Sequence, residues 1–161
     1  MSKRPTAFEA RELLSNYGSP LFVTYKESIR KNIELYYENF NKYSGGFTLS
    51  YSVKTNSNPT ILKIFRENNV MAEVCSSSDI LATKLAGYTG NEILFDGLVK
   101  NDEELTYAVE NNFSIINLES LGEAKRLGVI SKKLGKTIKV GIRLSFPSTR
   151  VGLKSLLGIT Y

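Results

Sequence analysis

The chain has 161 residues, of which 42% are hydrophobic, 11% aromatic and 23% charged, the composition of one globular domain rather than of a disordered or collagen-like chain. It has no histidine and one cysteine, Cys75, which excludes Ser-His-Asp and Cys-His nucleophile systems, histidine metal sites and an intrachain disulfide. The net charge of +5 is uneven, because no acidic residue follows Glu123. The basic residues beyond it read as a solvated helix face with a few pocket cations, and with no nucleic-acid motif or interleaved aromatics beside them no nucleic-acid partner is expected. The N-terminus carries no apolar run and nowhere do eighteen apolar residues follow one another, so neither a signal peptide nor a membrane span is expected. The lone cysteine fits a cytoplasmic protein.

Residues 7–16 read as a helix, 20–25 as a strand and 26–40 as a longer helix, after which Ser44-Gly45-Gly46 breaks the chain. From there strand and helix alternate. Strands are predicted to begin near Phe47, Val70, Glu92, Phe113 and Thr137, a spacing of roughly 21 to 24 residues that marks repeated βα units and a parallel sheet. Helical periodicity fills the intervals at 59–68, where Ile61, Leu62, Ile64 and Phe65 share a face, and at 78–86, 102–110 and 120–134. Asn58 before Pro59, Ser77 or Ser78 before Asp79, and Asn101 before Asp102 supply N-terminal caps, while Gly87 and Gly135 mark two helix ends. Pro147-Ser148 closes the last strand, and 149–161 is left without an assigned element.

Five parallel βα strands fit either an open doubly wound sheet or part of an eight-stranded barrel, and the pleat favours the barrel. Phe47, Leu49, Tyr51 and Val53 alternate with Thr48, Ser50, Ser52 and Lys54; in the last strand Val140, Ile142, Leu144 and Phe146 alternate with Lys139, Gly141, Arg143 and Ser145. A large apolar face suits packing beneath helices, and a small polar face suits a barrel interior. An open sheet covered on both faces would show more continuous apolar runs. The expectation is an α/β fold, a partial (β/α)8 TIM barrel with about five of eight strands, its repeats spanning 47–146. Lys54 closes the first such strand at the end where barrel active sites collect. A lysine partly desolvated there can present a neutral amine to a carbonyl, although from position alone it could equally snorkel out of the barrel mouth as a structural cation.

The text around that lysine, Tyr51-Ser52-Val53-Lys54-Thr55-Asn56-Ser57-Asn58-Pro59, resembles the lysine motif of the pyridoxal-phosphate-dependent decarboxylases, the diaminopimelate, ornithine and arginine decarboxylase family with its alanine-racemase-like barrel. Other stretches agree in order and spacing: Gly18-Ser19-Pro20-Leu21-Phe22-Val23, Ala72-Glu73-Val74-Cys75-Ser76, Lys100-Asn101-Asp102-Glu103-Glu104-Leu105, Asn117-Leu118-Glu119-Ser120 and Gly141-Ile142-Arg143-Leu144. The resemblance runs from about Tyr17 to Phe146 and leans toward the diaminopimelate branch, whose product is lysine. It implies that Lys54 forms the Schiff base with pyridoxal 5'-phosphate. It puts Glu73 where many of these enzymes carry an aspartate near the cofactor, and Arg143 where an arginine contacts the cofactor region. Arg143 could instead, or as well, be the barrel-interior ion-pair partner of Glu73. Cys75 reads as packing.

The resemblance further implies an amino-acid substrate and a homodimer. The ring-stacking histidine, the glycine-rich phosphate loop, the glutamate facing the pyridine nitrogen and the C-terminal β-domain, to which the strand at 20–25 would belong, would all lie beyond Tyr161. The expectation is therefore that residues 1–161 are the N-terminal part of such a barrel and do not turn over substrate alone. The alternatives are a non-catalytic barrel fragment that binds the cofactor or packs against a partner, and an alanine-racemase-like enzyme. The racemase reading is set back by Ser57-Asn58-Pro59, where racemases carry an aromatic-glycine-histidine run.

Overall fold

The computed structural model describes residues 4–42 and 45–144. Two helices, α1 (Ala7–Tyr17) and α2 (Lys26–Phe40), precede the repeats. The repeats are β1 (Ser50–Ser52), α3 (Pro59–Glu67), β2 (Met71–Val74), α4 (Ser77–Leu85), β3 (Ile93–Phe95), α5 (Asp102–Glu110), β4 (Ile115–Leu118), α6 (Leu121–Leu134) and β5 (Val140–Ile142).

Each repeat helix starts on a side chain that satisfies an otherwise unpaired amide, which stabilises a helix by about 1 kcal/mol. The Asn58 side chain accepts from the Thr60 N–H at 2.9 Å with Pro59 in the first turn. Asn101 and Glu104 form a reciprocal capping box at 2.8 and 3.0 Å. The α4 cap is Ser76, one residue before the two serines expected, and Ser120 caps α6. Two helix ends share a device written in the sequence as Glu-Asn-Asn, at 67–69 and 110–112. In each, the first asparagine's side chain donates to a carbonyl four residues back, Asn68 to Ile64 at 2.7 Å and Asn111 to Tyr107 at 2.8 Å. The second takes a left-handed backbone, with φ of 59° at Asn69 and 56° at Asn112, a conformation asparagine tolerates better than most residues. The chain then turns directly into β2 or β4.

All four strand pairings are parallel and the order is β1-β2-β3-β4-β5. Right-handed crossovers between sequential neighbours put every connecting helix on the same face. That face holds the core: Val53, Ala72, Val74, Ile93, Phe95 and Ile116 pack with Leu62, Leu105, Val109 and Leu127. The alternate residues Ser52, Glu73, Leu94 and Asn117 are only half-buried on the other face. Tyr51 stacks on Phe65 of α3 with ring centroids 3.9 Å apart, confirming the pleat of the first strand. The result is a five-stranded arc of barrel wall.

The strands begin one to three residues later than the hydrophobic pattern suggests, because only residues that pair with a neighbour belong to the ladder. Residues 20–25, expected as a strand, form none. Among the described residues no strand pairs with them, and Phe22 stands 97% exposed. Ser145, Phe146, Pro147-Ser148 and 149–161 lie outside the described residues, as does Ser44.

Two glycines predict opposite outcomes. A Cβ at Gly90 would collide with the backbone carbonyl of Asn111, which is fixed in the turn before β4. Gly128 lies within α6 with open space around it. Gly90→Ala should lower stability by about 2–4 kcal/mol, and Gly128→Ala should raise it by about 0.5–1 kcal/mol. Urea unfolding midpoints of the two variants check both signs.

Candidate active site

The chemistry-bearing residues collect where the strands end. β1 stops at Ser52, its last residue in register with β2, opposite Glu73. The chain then makes one 3-10 turn, Val53–Thr55, in which Val53 is fully buried in the core and Lys54 is exposed. Lys54 thus follows the strand rather than closing it, and it is solvated where partial desolvation was expected. The five described strands wall one side of a barrel that needs eight to enclose its mouth. Among the described residues, no hydrogen bond or ion pair holds the Lys54 ammonium.

Glu73 lies on the polar face of β2, half-buried, and accepts a hydrogen bond from the Ser52 hydroxyl at 3.0 Å. Arg143 is the first residue beyond β5. Its Nη2 lies 2.8 Å from Asp96 Oδ1 and its Nε 2.8 Å from Glu119 Oε1. Asp96 is the first residue beyond β3 and Glu119 the first beyond β4. Asn117 also donates to Asp96, at 2.8 Å. The ion pair expected between Arg143 and Glu73 is therefore replaced by one with Asp96 and Glu119, the carboxylates at the ends of β3 and β4. These two acids, with Asn117, are the functional-face residues that the sequence reading passes over. The pleat count that singles out Arg143 finds them too, since Leu94 and Asp96 share a parity, as do Ile115, Asn117 and Glu119.

The hydrogen bond to Asp96, and then the charges of Asp96 and Glu119, hold the Arg143 guanidinium above its ordinary pKa against an opposing effect of burial. It is a fixed cation. Cys75, the first residue beyond β2, is half-buried, and burial pushes its thiol pKa up while the nearby Lys54 charge pulls it down. The thiol is therefore protonated near neutrality, consistent with a packing role. Lys54, Glu73 and Asp96 all act on this one thiol, and Cys75 in turn acts on Arg143. Lys54, Glu73, Asp96 and Arg143 all stand at or just beyond the ends of their strands, at one end of the sheet. A cleft of about 490 Å³ lies along β1 beneath α2; Ser52 and Thr55 border it, and among the described residues no charged side chain lines it.

An unpaired primary amine, a held guanidinium and a carboxylate on one polar wall suit a ligand that carries an aldehyde together with anionic oxygens. Pyridoxal phosphate has both, so the residues present fit it. Lys54→Met should raise the Cys75 pKa further, because the cation that lowers it is gone. The pH midpoint of iodoacetamide modification then shifts upward, while Lys63→Met on α3 leaves it in place. An unchanged midpoint in Lys54→Met would separate Lys54 from this cluster.

A family model described as the pyridoxal-binding domain of pyridoxal-dependent decarboxylases matches residues 26–153. Diaminopimelate decarboxylase of Methanocaldococcus jannaschii is 28% identical over 158 residues, covering 91% of this chain and 36% of the relative. That of Aquifex aeolicus is 32% identical over 135 residues, covering 84% and 31%. The crystal structure of the M. jannaschii diaminopimelate decarboxylase in complex with L-lysine matches at a TM-score of 0.78 and 29% identity, over 84% of this chain and 32% of that one. The chain spans about a third of the length of these relatives, and its five-stranded sheet corresponds to part of their TIM-barrel domain. It belongs to the pyridoxal-dependent decarboxylase family, in the pyridoxal-binding domain.

Proposed function

We propose that this chain supplies the cofactor-anchoring wall of an amino-acid decarboxylase acting on diaminopimelate and yielding lysine. The observation that carries the reading is the Lys54 amine, unpaired among the described residues at the end of β1, in a charged cluster with Glu73 and Arg143. When bound, pyridoxal phosphate supplies the electron sink that makes loss of carbon dioxide from an amino acid feasible.

The chain's own residues do the rest. Lys54 Nζ, exposed on the turn after β1, is the amine that would hold the cofactor through its aldehyde. Arg143, ion-paired with Asp96 and Glu119, stays fully protonated and presents guanidinium N–H groups to an anionic oxygen. Glu73, oriented by Ser52, offers a carboxylate to hold a proton beside that oxygen. Diaminopimelate is favoured as the substrate because the relatives that share most of this chain are diaminopimelate decarboxylases, one solved with L-lysine bound. The homodimer implied by the family resemblance, and the cytoplasmic location that the lone cysteine fits, belong to the same proposal.

Incubation with pyridoxal phosphate followed by borohydride should label Lys54 alone in a peptide map. Prior addition of diaminopimelate should reduce that label more than ornithine or arginine does. Arg143→Met should weaken cofactor binding about tenfold, the order expected for hydrogen bonds to a charged group. Label spread over Lys100, Lys132 and Lys139, or retained in Lys54→Ala, would overturn the assignment.

A further inference from the structure

Beneath the rim lies an ion pair that the proposed chemistry does not use. Lys100, in the connection between β3 and α5, is 1% exposed, and Glu123, in the first turn of α6, is 4% exposed. Lys100 Nζ lies 3.1 Å from Glu123 Oε1 and 5.5 Å from the centroid of the Phe95 ring, and it donates to the Gly97 carbonyl. The other Glu123 oxygen accepts the Glu119 N–H at 2.9 Å. Arg126 of α6 donates to the Lys100 carbonyl at 2.9 Å. Both connections at the rim are therefore tied to one buried pair.

Burying two charges is a poor route to stability, since their desolvation offsets most of their attraction and an apolar pair of similar volume often does as well or better. What an apolar pair cannot do is direct hydrogen bonds to chosen backbone atoms. Here those atoms are the carbonyl of Gly97 and the amide of Glu119. Gly97 follows Asp96 and packs so closely on the Cys75 carbonyl that a Cβ there would sit 2.5 Å from that oxygen. Asp96 and Glu119 are the two carboxylates that grip Arg143.

We infer that the buried Lys100–Glu123 pair is a positioning device for Arg143. It fixes the two connections whose leading carboxylates set the height and orientation of the guanidinium. Lys100 and Glu123 are positioning residues and touch no ligand themselves. The inference rests on the proposed cofactor reading for what Arg143 contacts, but not for how Arg143 is held.

The test is made on the full chain without cofactor, by solvent exchange of the Arg143 side-chain Nε–H in ¹⁵N-labelled protein, assigned by its loss in Arg143→Lys. In Glu123→Gln and in the charge-free double variant Lys100→Met/Glu123→Gln, exchange should accelerate at least about tenfold, because the loss of directed bonds lets the connections open locally. Circular dichroism and backbone amide spectra establish that each variant is folded. Should Glu123→Gln unfold on leaving Lys100 unpaired, the double variant decides. A purely structural pair would lower the urea midpoint and leave Arg143 exchange under native conditions at the wild-type rate; that result overturns the inference. In a second arm, the folded variants should bind pyridoxal phosphate at least about fivefold more weakly than wild type. Absence of cofactor uptake by the wild type would instead count against the proposed function, and the exchange readout would still decide the role of the pair.

Discussion

Sequential parallel strands joined by right-handed crossovers can be covered by helices on one face only, and nearly everything else in this structure follows from that restriction. One parity of each strand must be apolar to hold α3 to α6, which is why Val53, Val74, Phe95 and Ile116 are fully buried. The other parity is released from packing and can carry polar groups. Ser52, Glu73 and Asn117 occupy it along the strands, and Lys54, Cys75, Asp96, Glu119 and Arg143 follow just beyond the strand ends. The wall is thus sorted by the pleat, with hydrocarbon outside and ionisable groups inside. A one-residue slip in any strand would reverse the sorting for that strand.

Charge on the inner side is arranged unequally. Two carboxylates, Asp96 and Glu119, are directed at one cation, Arg143, and Glu73 is held by a hydroxyl. Lys54 alone among these groups has no partner among the described residues. A guanidinium gripped on two sides keeps its charge and its place, which suits recognition of an anionic oxygen. An unpaired amine on a short turn is free to react. The difference between the two cations comes from which strand ends carry acids: those of β4, which pairs with β5, and of β3 beyond it do, whereas the end of β2 beside β1 carries the uncharged Cys75.

Much of this was legible in the amino-acid sequence because each signal was local. The helix starts at Pro59 and Asp102, with Asn58 and Asn101 before them, follow from capping chemistry that involves only a few residues. Strand order and pleat follow from the repeat and from alternation. The length of the strands was not legible, since pairing depends on where a neighbour's ladder stops; the first strand ends at Ser52 and leaves Lys54 on a turn. Residues 20–25 carry a strand's composition without a described neighbour to pair with. The partners of Arg143 are not legible for a related reason: the choice among Glu73, Asp96 and Glu119 is fixed by the positions of three strand ends at once. The buried Lys100–Glu123 pair is hidden in the sequence because a lysine in a polar run, Lys-Asn-Asp-Glu-Glu, looks solvated until α6 is placed over it.

On the proposed function, the polar face of this sheet, at the strand ends, is the wall against which Lys54 would hold pyridoxal phosphate. A crystal structure of the protein soaked with pyridoxal phosphate tests it most directly. The expected result is electron density continuous with Lys54 Nζ and a ring lying on the polar face, between Glu73 and Arg143. Density attached to another lysine, or a ring lodged in the apolar cleft between α2 and β1, would contradict it.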